Sequence, residues 1–90
     1  MDTTQAWRSF FENWPSELPQ NGIIITTFQE SIPFVRFLIG EGTIAIERDR
    51  PDTIGARKVI IGFNAISAVK MTDTDDFSRF LQMGFSEPGF

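Results

Sequence analysis

Residues 22–71 of this chain form a succession of short apolar segments separated by tight turns, and this pattern constrains the fold more than any other feature. The segments are rich in β-branched and aromatic residues or alternate apolar with polar residues, which is typical of β-strands. They lie at 23–28, 31–39, 43–48, 57–63 and 65–71. Five short strands with tight turns predict a small closed or half-closed β-barrel.

A helix is predicted before the strands, over residues 1–14. Its apolar residues have the i, i+3, i+4, i+7 spacing of one helix face, and all are aromatic: Trp7, Phe10, Phe11 and Trp14. Asp2 and Gln5 have the spacing of a capping box, and Pro15 ends the helix. The aromatic face either docks on the chain's own core or contacts another subunit.

A short second helix is predicted over residues 74–84. Thr72 or Thr74 can cap it, and three aspartates lie where the helix dipole favours acidic groups: Asp73, Asp75 and Asp76. Gly84 followed by Phe85 predicts a Schellman stop. The acidic cluster lacks the glycine and the distal glutamate of a calcium loop, so capping explains it and no metal site is predicted.

The length of 90 residues predicts one domain over residues 1–90, mainly β with a helix on each side. Ten Phe and two Trp supply much apolar surface for a chain of this size. We therefore expect part of it to be buried against another copy or a protein partner. Homo-oligomerisation is the leading expectation.

The chain contains neither Cys nor His, which limits the chemistry it can perform. Disulfides, thiolate catalysis and Cys-based zinc sites are excluded, and so are Ser/His/Asp and Cys/His triads. No glycine loop of the kind that holds phosphate occurs. We expect a protein that is not an enzyme and that carries no cofactor.

The net charge is −4, which disfavours binding to a nucleic-acid backbone. The first residues have neither the basic region nor the apolar region of a signal peptide, and the apolar runs are shorter than a bilayer requires. These features predict a cytoplasmic protein without a membrane partner.

One local group of basic residues has two interpretations. Arg48 and Arg50 lie on one face at the end of the third predicted strand, across a loop from Arg57 and Lys58. The group is either a charged hairpin that discourages aggregation at a sheet edge or a contact for phosphate or nucleic acid.

The segment 55–66, Gly-Ala-Arg-Lys-Val-Ile-Ile-Gly-Phe-Asn-Ala-Ile, resembles the second motif of the Sm-like family of five-stranded SH3-like barrels. The resemblance covers residues 6–71. It implies rings in which the fourth strand of one subunit pairs with the fifth strand of the next. It also implies single-stranded RNA bound by the loops at 40–42 and 62–64.

The chain departs from this family at several positions. The second predicted strand has Val35-Arg36-Phe37 where the family's first motif has a glycine, and the Asp and Asn that clasp a base in the following loop are absent. Ile61 replaces the arginine before the second-motif glycine. The resemblance therefore implies the barrel and the ring more than the RNA site.

These observations together predict an oligomeric scaffold or protein-interaction module with an Sm-like barrel; the alternative is an Sm-like ring that binds single-stranded RNA. The predicted oligomer interface is Val59, Ile61, Phe63, Ile66 and Val69. The residues predicted to contact nucleic acid are Arg48, Arg50, Arg57, Lys58, Phe63 and Asn64.

Overall fold

The computed structural model describes residues 2–72 and 77–89. Its helices and strands, in chain order, are α1 (Thr3–Glu12), β1 (Gly22–Thr26), β2 (Ser31–Phe34), β3 (Arg36–Ile39), β4 (Thr43–Glu47), β5 (Lys58–Gly62), β6 (Ile66–Lys70) and α2 (Ser78–Gln82). A single 3-10 turn, Phe63–Ala65, connects β5 to β6.

The six strands form two separate three-stranded antiparallel sheets, in the orders β2-β1-β6 and β3-β4-β5. The predicted five-stranded Sm-like or SH3-like barrel is therefore wrong, because the described residues form two sheets and no closed barrel.

The predicted strand at 31–39 is in fact two strands, β2 and β3, with Val35 between them. Ile32, Phe34 and Phe37 are buried, whereas Val35 and Arg36 are both exposed. Strict alternation of the two faces therefore breaks by one residue at this point. The chain leaves one sheet and enters the other, and the backbone N–H of Val35 donates to the carbonyl oxygen of Glu47 at 2.8 Å.

Both sheets contribute to one apolar core. Its buried members are Phe11, Ile24, Ile32, Phe34, Phe37, Ile44, Ile46, Ile61, Phe63 and Ile66. Alternation in β4 is regular, with Ile44 and Ile46 buried as the sequence pattern predicts. The aromatic members of the core come from α1 (Phe11), from the strands (Phe34 and Phe37) and from the 3-10 turn (Phe63).

Helix α1 docks on this core, as the first interpretation of its aromatic face predicted. The Asp2 carboxylate accepts a hydrogen bond from the backbone N–H of Gln5 at 2.8 Å, which confirms the predicted N-cap. The Phe11 ring is 1 % exposed and its centroid lies 5.1 Å from that of Phe37. The docked face stabilises a helix that is too short to persist alone in water.

Helix α2 is shorter than the predicted span of 74–84. Of the two predicted capping residues, Thr72 is not the N-cap, which is Phe77. Thr74 and the aspartates at 73, 75 and 76 lie outside the described residues. The predicted stop is confirmed, because Gly84 has φ 100° and the backbone N–H of Phe85 donates to the carbonyl oxygen of Phe80. The Phe85 ring then packs edge-on against Phe10 of α1, with centroids 6.2 Å apart.

Candidate functional site

The most regular exposed apolar feature is on the outer face of the β3-β4-β5 sheet. Leu38 lies opposite Ala45, and Ala45 lies opposite Ile60, so the three residues form one cross-strand row. Leu38 is 63 % exposed and Ile60 is 72 % exposed, and Ala45 between them is partly buried. We call these three residues the apolar row.

A row of charged residues lies next to the apolar row on the same face. Arg36 is opposite Glu47, and Glu47 is opposite Lys58. The Lys58 ammonium lies 2.8 Å from a Glu47 carboxylate oxygen. This hydrogen bond and the charge of Lys58 lower the pKa of Glu47 below its ordinary value. Both side chains are well exposed, so the ion pair adds little stability, but it compensates the charge of Lys58.

Strand β5 lies at the end of its sheet, and no strand among the described residues pairs with it on the side away from β4. The backbone of Arg48 donates to Arg57 at 2.8 Å, and the backbone of Phe63 donates to Gly42 at 3.0 Å. Hydrogen-bonding direction alternates along an antiparallel strand. The odd-numbered residues of β5 therefore bond to β4, and the N–H and C=O groups of Ile60 point to the open edge.

Most of the residues predicted to form an oligomer interface lie in the hydrophobic core. Ile61, Phe63 and Ile66 are buried in the core, and Val59 and Val69 are partly buried and pack against it. Val59, Ile61 and Phe63 alternate along the chain and share one face, and this face is turned toward the core. Whether the strand edges that carry these residues contact another copy stays a prediction.

The apolar row itself was missed by the interpretation of the sequence. In the sequence, Ile60 alternates with Val59 and Ile61 and therefore shares the opposite face of the strand with Lys58 and Gly62, which is not the face of the predicted interface. The signal that could have identified it is the uninterrupted run of Val59, Ile60 and Ile61. Three consecutive β-branched residues in a strand place apolar side chains on both faces of the sheet.

Three of the residues predicted to contact nucleic acid lie close together: Arg48, Arg50 and Arg57. The Nε of Arg48 donates to the carbonyl oxygen of Arg50 at 3.2 Å, and the backbone of Arg48 bonds to that of Arg57. Lys58 is paired with Glu47 as described above. Positive charge at this end of the sheet is therefore mixed with carboxylates.

Two further residues of the nucleic-acid prediction lie at the end of β5. The Phe63 ring is 0 % exposed, so it is not available to stack on a base. Asn64 is exposed in the 3-10 turn that follows β5.

The loop between β4 and β5 is ordered by one carboxylate. An Asp52 oxygen accepts hydrogen bonds from the backbone N–H groups of Ile54 and Ala56, both at 2.9 Å. These bonds are the main cause of a lowered pKa for Asp52. The loop presents Ile54 at 87 % exposure, as a single apolar side chain away from the apolar row.

A groove at the C-terminal end is a further apolar surface among the described residues. It has a volume of about 700 Å³ and is lined by Phe77, Ser78, Phe80, Leu81, Phe85, Ser86, Glu87 and Pro88. All of these residues are local in sequence, and the groove contains a single carboxylate. It therefore lacks the converging titratable groups that an active site needs.

Within residues 2–72 and 77–89, no three His, Cys, Asp or Glu side chains come together in a way that could hold a metal ion. None of the helices in these ranges has the length and apolar character needed to cross a bilayer.

Comparison with known proteins adds no further constraint. No protein-family model matches the chain, and no curated protein and no solved structure gives a significant match. The resemblance to the Sm-like family is therefore neither supported nor opposed by these comparisons.

Proposed function

We propose that this chain is a non-enzymatic protein-interaction module that self-associates and acts as a scaffold, and that the outer face of β3-β4-β5 with its open edge is the contact surface. The observation that carries the proposal is the apolar row, in which Leu38 and Ile60 are exposed in register on a regular sheet. Exposed apolar residues that line up beside an unpaired edge are a recognised site of strand-to-strand association.

Burial of exposed apolar side chains can supply enough free energy for a weak or moderate self-association. Full burial of a Leu or Ile side chain contributes about 1.5–3 kcal/mol, so the exposed parts of Leu38 and Ile60 offer about 1–2 kcal/mol each. Contact between two copies at the open edge would cover Ile60 of each copy, whereas Leu38 lies two strands away and is covered only where the outer faces themselves pack together. Backbone hydrogen bonds at the open edge would add to this contribution.

The RNA-binding alternative has less support. Phe63 is buried, Lys58 is paired with Glu47, and the net charge is −4. A cytoplasmic location remains part of the proposal, and it is consistent with a chain that has no Cys and requires no disulfide.

The test is the solution mass over a range of concentrations, measured by size-exclusion chromatography with light scattering. We expect a defined oligomer for the wild type. Ile60→Ser should weaken the association at least ten-fold. The matched control is Ile54→Ser, which makes the same chemical change at an exposed residue outside the apolar row and should leave the mass unchanged.

Circular dichroism of each variant verifies that the fold is retained. A wild type that stays monomeric at all accessible concentrations would refute the proposal. Equal weakening by the two substitutions would refute the assignment of the surface.

A further inference from the structure

We infer that two copies of this chain pair antiparallel through β5, with Ile60 of one copy opposite Ile60 of the other, to form one continuous six-stranded sheet. The inference rests on the proposed self-association and names its partner and its geometry. It differs from the ring implied by the Sm-like resemblance, in which two different strands meet. Here the same strand meets itself about a two-fold axis.

The first argument is the direction of the backbone groups. The N–H and C=O of Ile60 point away from β4, toward the open edge, as the hydrogen bonds that flank β5 require. A second copy of β5 presents the same groups in the reverse direction. Antiparallel pairing at this edge therefore gives Ile60 two hydrogen bonds with its counterpart.

The second argument is the register. Pairing centred on Ile60 overlaps the whole of Lys58–Gly62 and places Lys58 opposite Gly62. A register centred on Lys58 would place two ammonium groups opposite each other, which is destabilising. A register centred on Gly62 would extend beyond the strand into the 3-10 turn. The Ile60 register is the one that uses the full strand without opposed charges.

The third argument is that β5 lacks the features that protect the two edges of the β2-β1-β6 sheet. Strand β2 contains Pro33, which cannot donate a ladder hydrogen bond. The pairing of β6 with β1 is irregular next to Ile25 and Thr26. The pairing of β5 with β4 is regular along its length, and the charge of Lys58 is compensated by Glu47. Regular edges without such protection favour pairing with another chain.

The pairing also extends the apolar row. Residues directly opposite each other in an antiparallel pair point to the same face of the sheet. The two rows would therefore join into one band across the new sheet, with the two Ile60 side chains in contact at its centre. This contact covers the most exposed member of the row.

The first experiment uses the absence of Cys, because any introduced thiol is then the only one in the chain. A hydrogen-bonded antiparallel pair separates its Cα atoms by about 5.5 Å, which is within the range that a disulfide spans. Ile60→Cys should form a disulfide-linked dimer on mild oxidation at least ten times faster than Ile54→Cys. The control residue lies on the loop and is more exposed than Ile60, so accessibility alone would favour the control.

The second experiment keeps Ile60 intact. A spin label on Thr43→Cys lies in β4, opposite Gly62 and outside the apolar row. Three strand spacings across the sheet and four residues along it place the two labelled Cα atoms about 20 Å apart. Pulsed dipolar spectroscopy measures the distance between the two labels in an assembly in which β5 is unchanged.

Rapid cross-linking at residue 60 together with a distance near 20 Å supports the pairing. A dimer in which Ile60→Cys links no faster than Ile54→Cys, and in which the distance is clearly different, overturns the pairing but leaves self-association standing. A multimer larger than a dimer with no link at residue 60 indicates head-to-tail assembly and also overturns it. A monomer overturns this inference and the proposed function together.

Discussion

Replacing Phe11 by alanine tests the most important packing interaction in the structure. The Phe11 ring is 1 % exposed, stacks on Trp14 with an interplanar angle of 2°, and meets Phe37 edge-on. Removing a fully buried Phe side chain costs about 3–5 kcal/mol. A domain of this length has a total stability of about 5–13 kcal/mol. Phe11→Ala should therefore remove about a quarter or more of the free energy of unfolding.

The assay is urea unfolding followed by tryptophan fluorescence, at a single low protein concentration because association also stabilises the folded state. Trp7 and Trp14 lie close to Phe11 and report on its surroundings. The matched control is Phe28→Ala, at a residue that is 84 % exposed, where the loss should stay within about 0.5 kcal/mol. A loss below about 1 kcal/mol for Phe11→Ala, or equal losses for both variants, would contradict the docking of α1 on the core.

Two further substitutions probe polar groups. Thr26 is buried, and its hydroxyl accepts from the backbone N–H groups of Phe28 and Glu30, so Thr26→Val should lower stability by about 1–3 kcal/mol in urea unfolding while the exposed Thr27→Val does not. Backbone donors lower the pKa of Asp52, so its contribution is present above the ordinary pKa of an aspartate and is lost as the pH falls through the lowered pKa. Asp52→Ala should lower the protection factors of the Ile54 and Ala56 amides at neutral pH, and protonation of Asp52 in acid should lower them in the wild type, each factor being taken relative to the intrinsic exchange rate at the same pH. Asp49→Ala should leave them unchanged, and unchanged protection in Asp52→Ala would contradict this role.

Local patterns in the sequence predicted the elements of the fold well, because local interactions determine them. The aromatic spacing in residues 7–14 identified α1, Asp2 identified its N-cap, and Gly84 identified the stop after α2. The barrel was wrong because closure depends on long-range geometry that strand counting does not contain. The division at Val35 was encoded in the burial phase of Ile32, Phe34 and Phe37, but an apolar run conceals a one-residue shift of phase.

The candidate surface was harder to predict for a related reason. An apolar residue in a strand belongs to a face, and periodicity alone does not tell which face of a sheet is covered. Val59 and Ile61 face the core, whereas Ile60 faces outward. The choice between them depends on the side from which the second sheet and α1 approach. This information comes from the three-dimensional arrangement and not from the spacing of residues.

The exposed apolar residues differ in how well they suit a contact surface, because some lie on hydrogen-bonded strands and others lie in turns or loops. Phe28 and Ile54 lie in turns and loops as single side chains, and ordering such segments on binding costs conformational entropy. Leu38 and Ile60 lie on strands whose backbones are already fixed by ladder hydrogen bonds. A second copy that meets them therefore loses less entropy for the same apolar area. For this reason the rigid sheet, rather than the more exposed loop residues, is the better candidate for association.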